Sequence, residues 1–125
     1  MIRLVEFRGK ENGEWIYGGI FSPEPDKVFI ITDDGKQHPV DRGTVGQWTG
    51  MFDKKYRKLY EGDFVEIQMK SGWNMLGVLK YNQFQGYWYV YNRENKCPAY
   101  DVKEFDYFGN IVEDPQTVEA LLIGF

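Results

Sequence analysis

The feature that most constrains the fold is an alternating segment that begins after Asp63. Val65, Ile67 and Met69 are apolar, and each is followed by a polar residue. Successive side chains of a β-strand point to opposite faces, so this alternation predicts a strand with one buried face. The turn residues Glu61-Gly62-Asp63 precede it, and Gly62 suits a tight turn that leads into the strand. This segment predicts β structure for the centre of the chain.

Other short segments have strand character and are separated by turn residues. Paired glycines at Gly18-Gly19 predict a bulge or a close backbone approach, and Pro23 and Pro25 are expected to end the strand that contains those glycines. Turns or loops are predicted at 9–13, 33–35, 41–44 and Thr49-Gly50. The predicted strands cover 2–8, 15–21, 28–31, 37–40, 75–81 and 87–91, with an extended segment over 99–107.

The end of the chain predicts a short helix. Asp114 is a suitable N-cap, and Pro115 suits the first helical position. Val118, Leu121 and Leu122 share one face at helical spacing, and Gly124 can end the helix.

Composition and length set the fold class. The chain has 125 residues, 18% of them aromatic, and 14 glycines, which favours one mostly β domain with tight turns. We predict a small Src-homology-3-like barrel with an N-terminal β region and a short C-terminal helix. The N-terminal region covers 1–44, and 45–125 contains the central motif, the barrel-like strands and the helix.

Charge and cysteine usage indicate a soluble intracellular protein. The net charge is −4 and the pI is near 5.0, which disfavours general attraction to phosphate backbones. Cys97 has no second cysteine to pair with, so an oxidising compartment is not required. The N-terminus lacks a signal-peptide pattern, and no apolar run approaches the about 20 residues that span a bilayer.

The sequence predicts no catalytic residue, no metal ligand set and no cofactor. His38 is the one histidine, and Cys97 precedes a proline with no base nearby. Phosphate-binding glycine loops, zinc-finger spacings and nucleophile elbows are missing. Glu61 and Asp63 could supply carboxylates for a metal, but a structural role in the turn is the favoured interpretation.

A basic cluster in the central loop is the first candidate binding site. Cations next to an aromatic ring can hold a phosphate backbone while the ring stacks on a base. The alternative, which we favour, is a solvated loop kept soluble by its charge. The cluster consists of Lys54, Lys55, Tyr56, Arg57 and Lys58.

A row of tyrosines is the second candidate. Alternation places Tyr87, Tyr89 and Tyr91 on one face of their strand, with Trp88 and Val90 facing the core. Exposed tyrosine is a good recognition residue because it buries much area at little entropic cost. The row could equally pack under the N-terminal hairpin. Two aromatic residues of the adjoining turns are candidates to extend this surface: Trp73 and Phe84.

Three segments of the chain carry distinctive motifs. In the central segment, Thr44–Gly50 reads TVGQWTG, and Leu59–Asp63 reads LYEGD, a motif to which Tyr60 belongs. An opening segment (7–10 and 14–18) precedes it and a closing segment (109–111 and 113–115) follows it. In content and order these three segments resemble the YopX family of phage and prophage proteins. One departure is Lys55-Tyr56, where the family usually has an Asn-Gly turn. The resemblance implies a phage or prophage origin and no established activity.

We therefore expect a non-catalytic binding module in the cytoplasm of a bacterial host. A host or phage protein is the expected partner, and the net charge disfavours nucleic acid. A self-associating homo-oligomer is the alternative. An enzyme that depends on carboxylates, such as a nuclease or glycosidase, is the least favoured reading.

Overall fold

The protein is mostly β, with two antiparallel sheets and a short C-terminal helix. The structure is a computed structural model that describes residues 5–123, without the side chains of 118 and 121–123. A 3₁₀ turn, Ala99–Asp101, precedes the last strand. The elements of the described range are β1 (Phe7–Glu11), β2 (Glu14–Glu24), β3 (Lys27–Ile31), β4 (Gln37–Phe52), β5 (Lys58–Tyr60), β6 (Asp63–Met69), β7 (Asn74–Asn82), β8 (Tyr87–Tyr91), β9 (Lys96–Pro98), β10 (Val102–Asn110) and α1 (Pro115–Ile123).

The chain divides into two compact units between Trp48 and Thr49. In the first unit, β1 pairs with β2 and β4, and β3 also pairs with β2 and β4. The pairings therefore form a closed circuit of four strands. The second unit contains the sheet with strand order β10-β6-β7-β8-β9. The Src-homology-3-like comparison remains a prediction.

Strand β2 changes partner at its two glycines. Gly18 pairs with Phe7 of β1, and Gly19 pairs with Ile31 of β3. A Cβ on Gly18 would lie 2.0 Å from the carbonyl oxygen of Ile31, a distance that no side chain can occupy. The close backbone approach predicted for this glycine pair is confirmed.

The second unit buries its main core cluster against one face of the sheet, as the alternation in β6 predicts, and a smaller cluster of Phe64 and Val78 is buried on the opposite face. Val65 and Ile67 are fully buried, whereas Glu66 between them is exposed. Leu79 of β7 and Val90 of β8 are also fully buried in the same cluster. Burial of these aliphatic side chains provides the main stabilisation of this unit.

Two predicted breaks in the first unit are wrong at their boundaries. Strand β1 begins at Phe7 and continues to Glu11, so the turn contains only Asn12-Gly13, both with positive φ. Residues 2–4 of the predicted strand lie outside the described range. Strand β2 continues through Pro23, because the register shifts between Phe21 and Glu24 and a proline is tolerated at such a bulge.

Strand β4 runs through two segments that the sequence predicted as loops. At 41–44 the strand bulges: Asp41 accepts the Gly43 amide, and the Thr44 hydroxyl accepts the Lys10 amide of β1. At Thr49-Gly50 the strand also continues, with Gly50 in the left-handed region. At the 41–44 bulge, these side-chain hydrogen bonds replace the regular backbone hydrogen bonds between β1 and β4.

The later boundaries agree better with the sequence. Strands β6, β7 and β8 lie where the sequence predicted them, whereas β5 and β9 were missed because three residues are too few to show alternation. Helix α1 begins at Pro115, as predicted. The predicted apolar helix face (118, 121 and 122) and the stop at 124 lie outside the described side chains and residues. Within the described part of the chain, no helix has the length and apolarity needed to cross a bilayer.

Gly62, in the turn between β5 and β6, contacts the segment that follows β10. Its φ is +88°, and its amide donates to the Leu79 carbonyl at 2.9 Å. Its own carbonyl accepts the Ile111 amide at 2.9 Å. A Cβ on Gly62 would lie 3.0 Å from Cγ2 of Ile111. Backbone conformation and space therefore both favour glycine at this position.

We predict that Gly62→Ala lowers the free energy of unfolding by roughly 1–3 kcal/mol, because alanine is strained at this φ. Gly19→Ala is the matched control, since Gly19 has open space around its Cβ position and no positive φ. Chemical denaturation monitored by tryptophan fluorescence measures both. Equal midpoints for the two variants would contradict the strain argument.

Candidate functional site

The tyrosines of β8 lie on the face opposite the core. Val90 is fully buried, and Trp88 is partly buried against the same core cluster. Tyr87, Tyr89 and Tyr91 are half-buried on the other face. The strand thus places its aliphatic residue inside and presents three aromatic rings on the outer face of the sheet.

A fourth ring extends this row into a continuous strip. Ring centroids are 6.2 Å apart for Tyr87 and Tyr89, and 5.8 Å apart for Tyr89 and Tyr91. Tyr100, in the 3₁₀ turn, meets Tyr87 edge-on at 6.1 Å and is 65% exposed. We call these four residues the tyrosine strip. Tyr100 was missed from sequence because its segment was read as a plain extended strand.

The two ends of the tyrosine strip differ in their surroundings. Tyr91 packs against the buried cluster of Phe64 and Val78 on the outer face. Burial, followed by the neighbouring Tyr89, raises the pKa of the Tyr91 phenol. Tyr100 at the other end is largely exposed. The Tyr91 end is therefore anchored in the fold, and the Tyr87–Tyr100 end is open.

Two lysines border the middle of the tyrosine strip. The Nζ of Lys96 lies 4.3 Å from the Tyr89 ring centroid, a cation–π contact. Lys80 of β7 is directly opposite Tyr89 in the strand register, and directly opposed residues share a face. Tyr89 therefore lies between a cation on β7 and a cation on β9.

A cavity of about 310 Å³ opens between the tyrosine strip and the turn from β8 to β9. Asn92 shapes the turn: its Nδ2 donates to the Leu76 carbonyl, and its Oδ1 accepts the Glu94 and Asn95 amides. These hydrogen bonds fix the wall of the cavity. The lining residues are Tyr89, Tyr91, Asn92, Arg93, Glu94, Asn95 and Lys96.

Trp73 and Phe84 do not extend the strip together. Trp73 precedes β7 and Phe84 follows it, so the length of the strand, roughly 25 Å at about 3.3 Å per residue, separates them. Trp73 is 46% exposed and Phe84 is 92% exposed. Trp73 and Phe84 therefore lie beyond opposite ends of β7, and their part in a binding surface stays a prediction.

A buried aspartate organises the basic loop. The Asp53 carboxylate accepts the amides of Lys55 at 2.9 Å and Arg57 at 2.8 Å. Its backbone amide donates to the Arg57 carbonyl at 2.9 Å. The sequence analysis did not identify this role, although aspartate is a common residue for bonding amides two residues ahead in turns.

Two of the four cations of the loop hold the edge strand β10. The Lys54 amide donates to the Phe105 carbonyl, and its Nζ lies 3.1 Å from the Asp106 carboxylate. That hydrogen bond to Asp106 raises the pKa of the Lys54 ammonium. The Arg57 guanidinium stacks over Tyr107 at 4.4 Å. Lys54 and Arg57 are therefore engaged with β10, although all four cations of the loop are exposed to solvent.

Tyr56 takes a left-handed conformation, which suits the glycine of an Asn-Gly pair better than a tyrosine. Its φ is +62°, in the left-handed region, and its amide donates to the Asp53 carbonyl at 3.0 Å. Its side chain is 87% exposed. The loop thus retains a tight turn although Lys55-Tyr56 replaces the usual dipeptide, and a bulky residue bears the conformational cost.

The side chains of Thr49 and Asp63, from the central TVGQWTG and LYEGD motifs, form hydrogen bonds with the backbone. The Thr49 hydroxyl donates to the Leu59 carbonyl and accepts the Met51 amide, which joins the end of β4 to β5. The fully buried Asp63 accepts the Tyr60 amide at 2.7 Å. Glu61, between them, is half-buried.

The closing motif is ordered around Asn110, which is almost fully buried. Its Oδ1 accepts the amides of Val112 and Glu113. The Asp114 amide donates to the Asn110 carbonyl. Because Ile111 bonds Gly62, the central and closing motifs meet in the fold.

The remaining reactive side chains have local partners. His38 Nδ1 lies 2.9 Å from the Glu11 carboxylate. Cys97 is buried, and burial together with Asp101 raises the pKa of its thiol. Among the described residues, no group of three or more His, Cys, Asp or Glu side chains is placed to hold a metal ion.

We predict that Tyr56→Asn raises the free energy of unfolding by about 1 kcal/mol, because asparagine tolerates the left-handed region better than tyrosine. Phe84→Asn is the control: Phe84 is an equally exposed turn aromatic without positive φ, so no comparable gain is expected. Paired urea melts give the values. A loss of stability in Tyr56→Asn would show that the Tyr56 side chain supports the fold.

Comparison with known proteins gives one clear relationship. The family model described as YopX protein matches residues 6–119. Neither the curated proteins nor the solved structures contain a match to the chain. The matched region contains β1–β10 and most of α1, so the chain belongs to the YopX protein family.

Proposed function

We propose that this YopX-family protein is a non-catalytic binding module whose recognition surface is the tyrosine strip. The observation that carries the proposal is the continuity of four tyrosine rings on the outer face of the second unit's sheet. Rigid aromatic side chains with a polar hydroxyl give large contact areas at low entropic cost. The half-buried placement of the rings pre-orders this surface before any partner binds.

The engagement of the acidic side chains supports a binding role over a catalytic one. Asp53 and Asp63 are the buried aspartates among the described residues, and each accepts hydrogen bonds from backbone amides. A carboxylate held in this way has a structural role already.

The sequence match to the YopX family motivates the biological setting that we propose: a phage or prophage protein that acts in the cytoplasm of its bacterial host.

Self-association is a second candidate because the first unit also presents apolar side chains. Ile20 and Phe21 of β2 are exposed, and the Phe21 ring contacts Phe29 of β3. Neighbouring exposed apolar residues of this kind are a feature of surfaces that bind other proteins. In this alternative a second copy of the chain covers them.

We predict that Tyr89→Ala changes the free energy of unfolding by less than about 1 kcal/mol, as changes at partly exposed positions usually do. Leu79→Ala, at a fully buried position, should cost about 2–5 kcal/mol. Equilibrium denaturation measures both. A loss at Tyr89 as large as that at Leu79 would mean that the strip is part of the core and not a recognition surface.

The proposed function also predicts a loss of binding. Immobilised wild-type protein should retain a specific species from lysate of host cells in which the phage is induced, and Tyr89→Ala should not. Phe84→Ala, a change of an exposed aromatic outside the strip, should retain it. Equal retention by all three proteins would contradict the proposal.

Self-association has its own test. A concentration-dependent dimer in sedimentation that is lost in Phe21→Ala would favour self-association.

A further inference from the structure

We infer that the tyrosine strip binds single-stranded nucleic acid, with its centre at Tyr89. The inference rests on the proposed function, because it assigns a partner class to the same surface. Two features carry it: the spacing of the rings and the charges around them. A protein ligand for the strip is the alternative that the experiment below separates.

The spacing of the rings suits unpaired bases. Neighbouring rings of β8 are 5.8–6.2 Å apart, nearly twice the about 3.4 Å between successive bases along one strand of a duplex. Bases must therefore be splayed apart to meet successive rings. Splayed bases stacked on aromatic side chains of a sheet are a common mode of single-strand recognition. A duplex cannot offer its bases in this way.

The charges around the middle of the strip are mainly positive. Lys80 and Lys96 border Tyr89 on the two neighbouring strands, and Arg93 lines the adjacent cavity. Glu94 is the one carboxylate among the residues that line this cavity. Stacking rings bordered by Lys and Arg are the combination that holds single strands without sequence preference.

The acidic residues of the same sheet lie on other strands. Glu66 of β6 pairs with Asp106 of β10, and Glu104 of β10 pairs with Gln68. Strand β7 separates these two strands from β8. The net charge of −4 is thus an average over a chain with a basic region at the strip. This charge separation changes the expectation drawn from net charge, because binding depends on the charge near the phosphates.

The same structure argues against the basic loop as the main site. Lys54 bonds Asp106 and Arg57 stacks on Tyr107, so both cations are engaged with β10. At the strip, by contrast, the long side chain of Lys96 lies over the ring on which a base would stack. A modest rotation of this side chain would make room for the base and leave the ammonium beside its phosphate.

Fluorescence anisotropy with a labelled 12-nucleotide single strand of mixed sequence, as DNA and as RNA, tests the inference. The duplex of the same sequence serves as comparison. We expect binding of a single strand at 50 mM salt and much weaker binding of the duplex. If Lys80, Arg93 and Lys96 each neutralise one phosphate, fourfold more salt should weaken binding roughly 20-fold.

Matched variants locate the site. Tyr89→Ala should weaken binding at least about fivefold through the loss of one stacking ring. Lys96→Gln should reduce the salt dependence, because one phosphate contact is removed. Lys55→Gln makes the same charge change in the basic loop and should leave affinity nearly unchanged. Unfolding midpoints of all three variants verify that each is folded.

Two results would overturn the inference. One is no binding of either single strand by the wild type at 50 mM salt; the other is a loss in Lys55→Gln with none in Lys96→Gln. The proposed function is judged separately. If Tyr89→Ala loses a protein partner while the wild type binds no nucleic acid, the strip is a protein-recognition surface and only the partner class assigned here is wrong.

Discussion

The second unit depends on the absence of a side chain at Gly62. This residue bonds Leu79 on β7 through its amide and Ile111 through its carbonyl, at a φ of +88°. Gly62 therefore joins the start of β6 to β7 and to the segment that follows the edge strand β10. Asp63, directly after it, bonds the Tyr60 amide and fixes the direction in which the chain leaves β5. The sheet that carries the tyrosine strip begins from this turn.

Sequence patterns predicted those parts of the fold that local periodicity determines. Alternation in β6 and β8 assigned the buried faces, and the glycine pair in β2 marked a close approach. The course of β4 could not be predicted in this way, because its bulge at 41–44 is held by hydrogen bonds to Asp41 and from Lys10, which is distant in sequence. Long-range bonds of this kind leave no periodic signal.

The candidate site was predicted in part for the same reason. The three tyrosines of β8 follow from alternation, but Tyr100 joins them only through the 3₁₀ turn that brings it to Tyr87. The basic loop was visible as composition, while the stacking of Arg57 on Tyr107 depends on tertiary structure. Net charge was the least informative quantity, since it does not show which strands carry the charges.

The two border strands of the second sheet, β9 and β10, offer little free backbone for pairing with a strand of another molecule. A bare strand at the border of a sheet is a template on which further strands, and eventually fibrils, can grow. At one border, β9 is three residues long and ends in a proline. At the other, the Lys54 amide occupies the Phe105 carbonyl of β10, and the Lys54 and Arg57 side chains lie along that strand. The loop that sequence composition offered as a candidate ligand site thus covers one border of the sheet, and we expect the loss of Lys54 and Arg57 to leave that border more open to pairing with another strand.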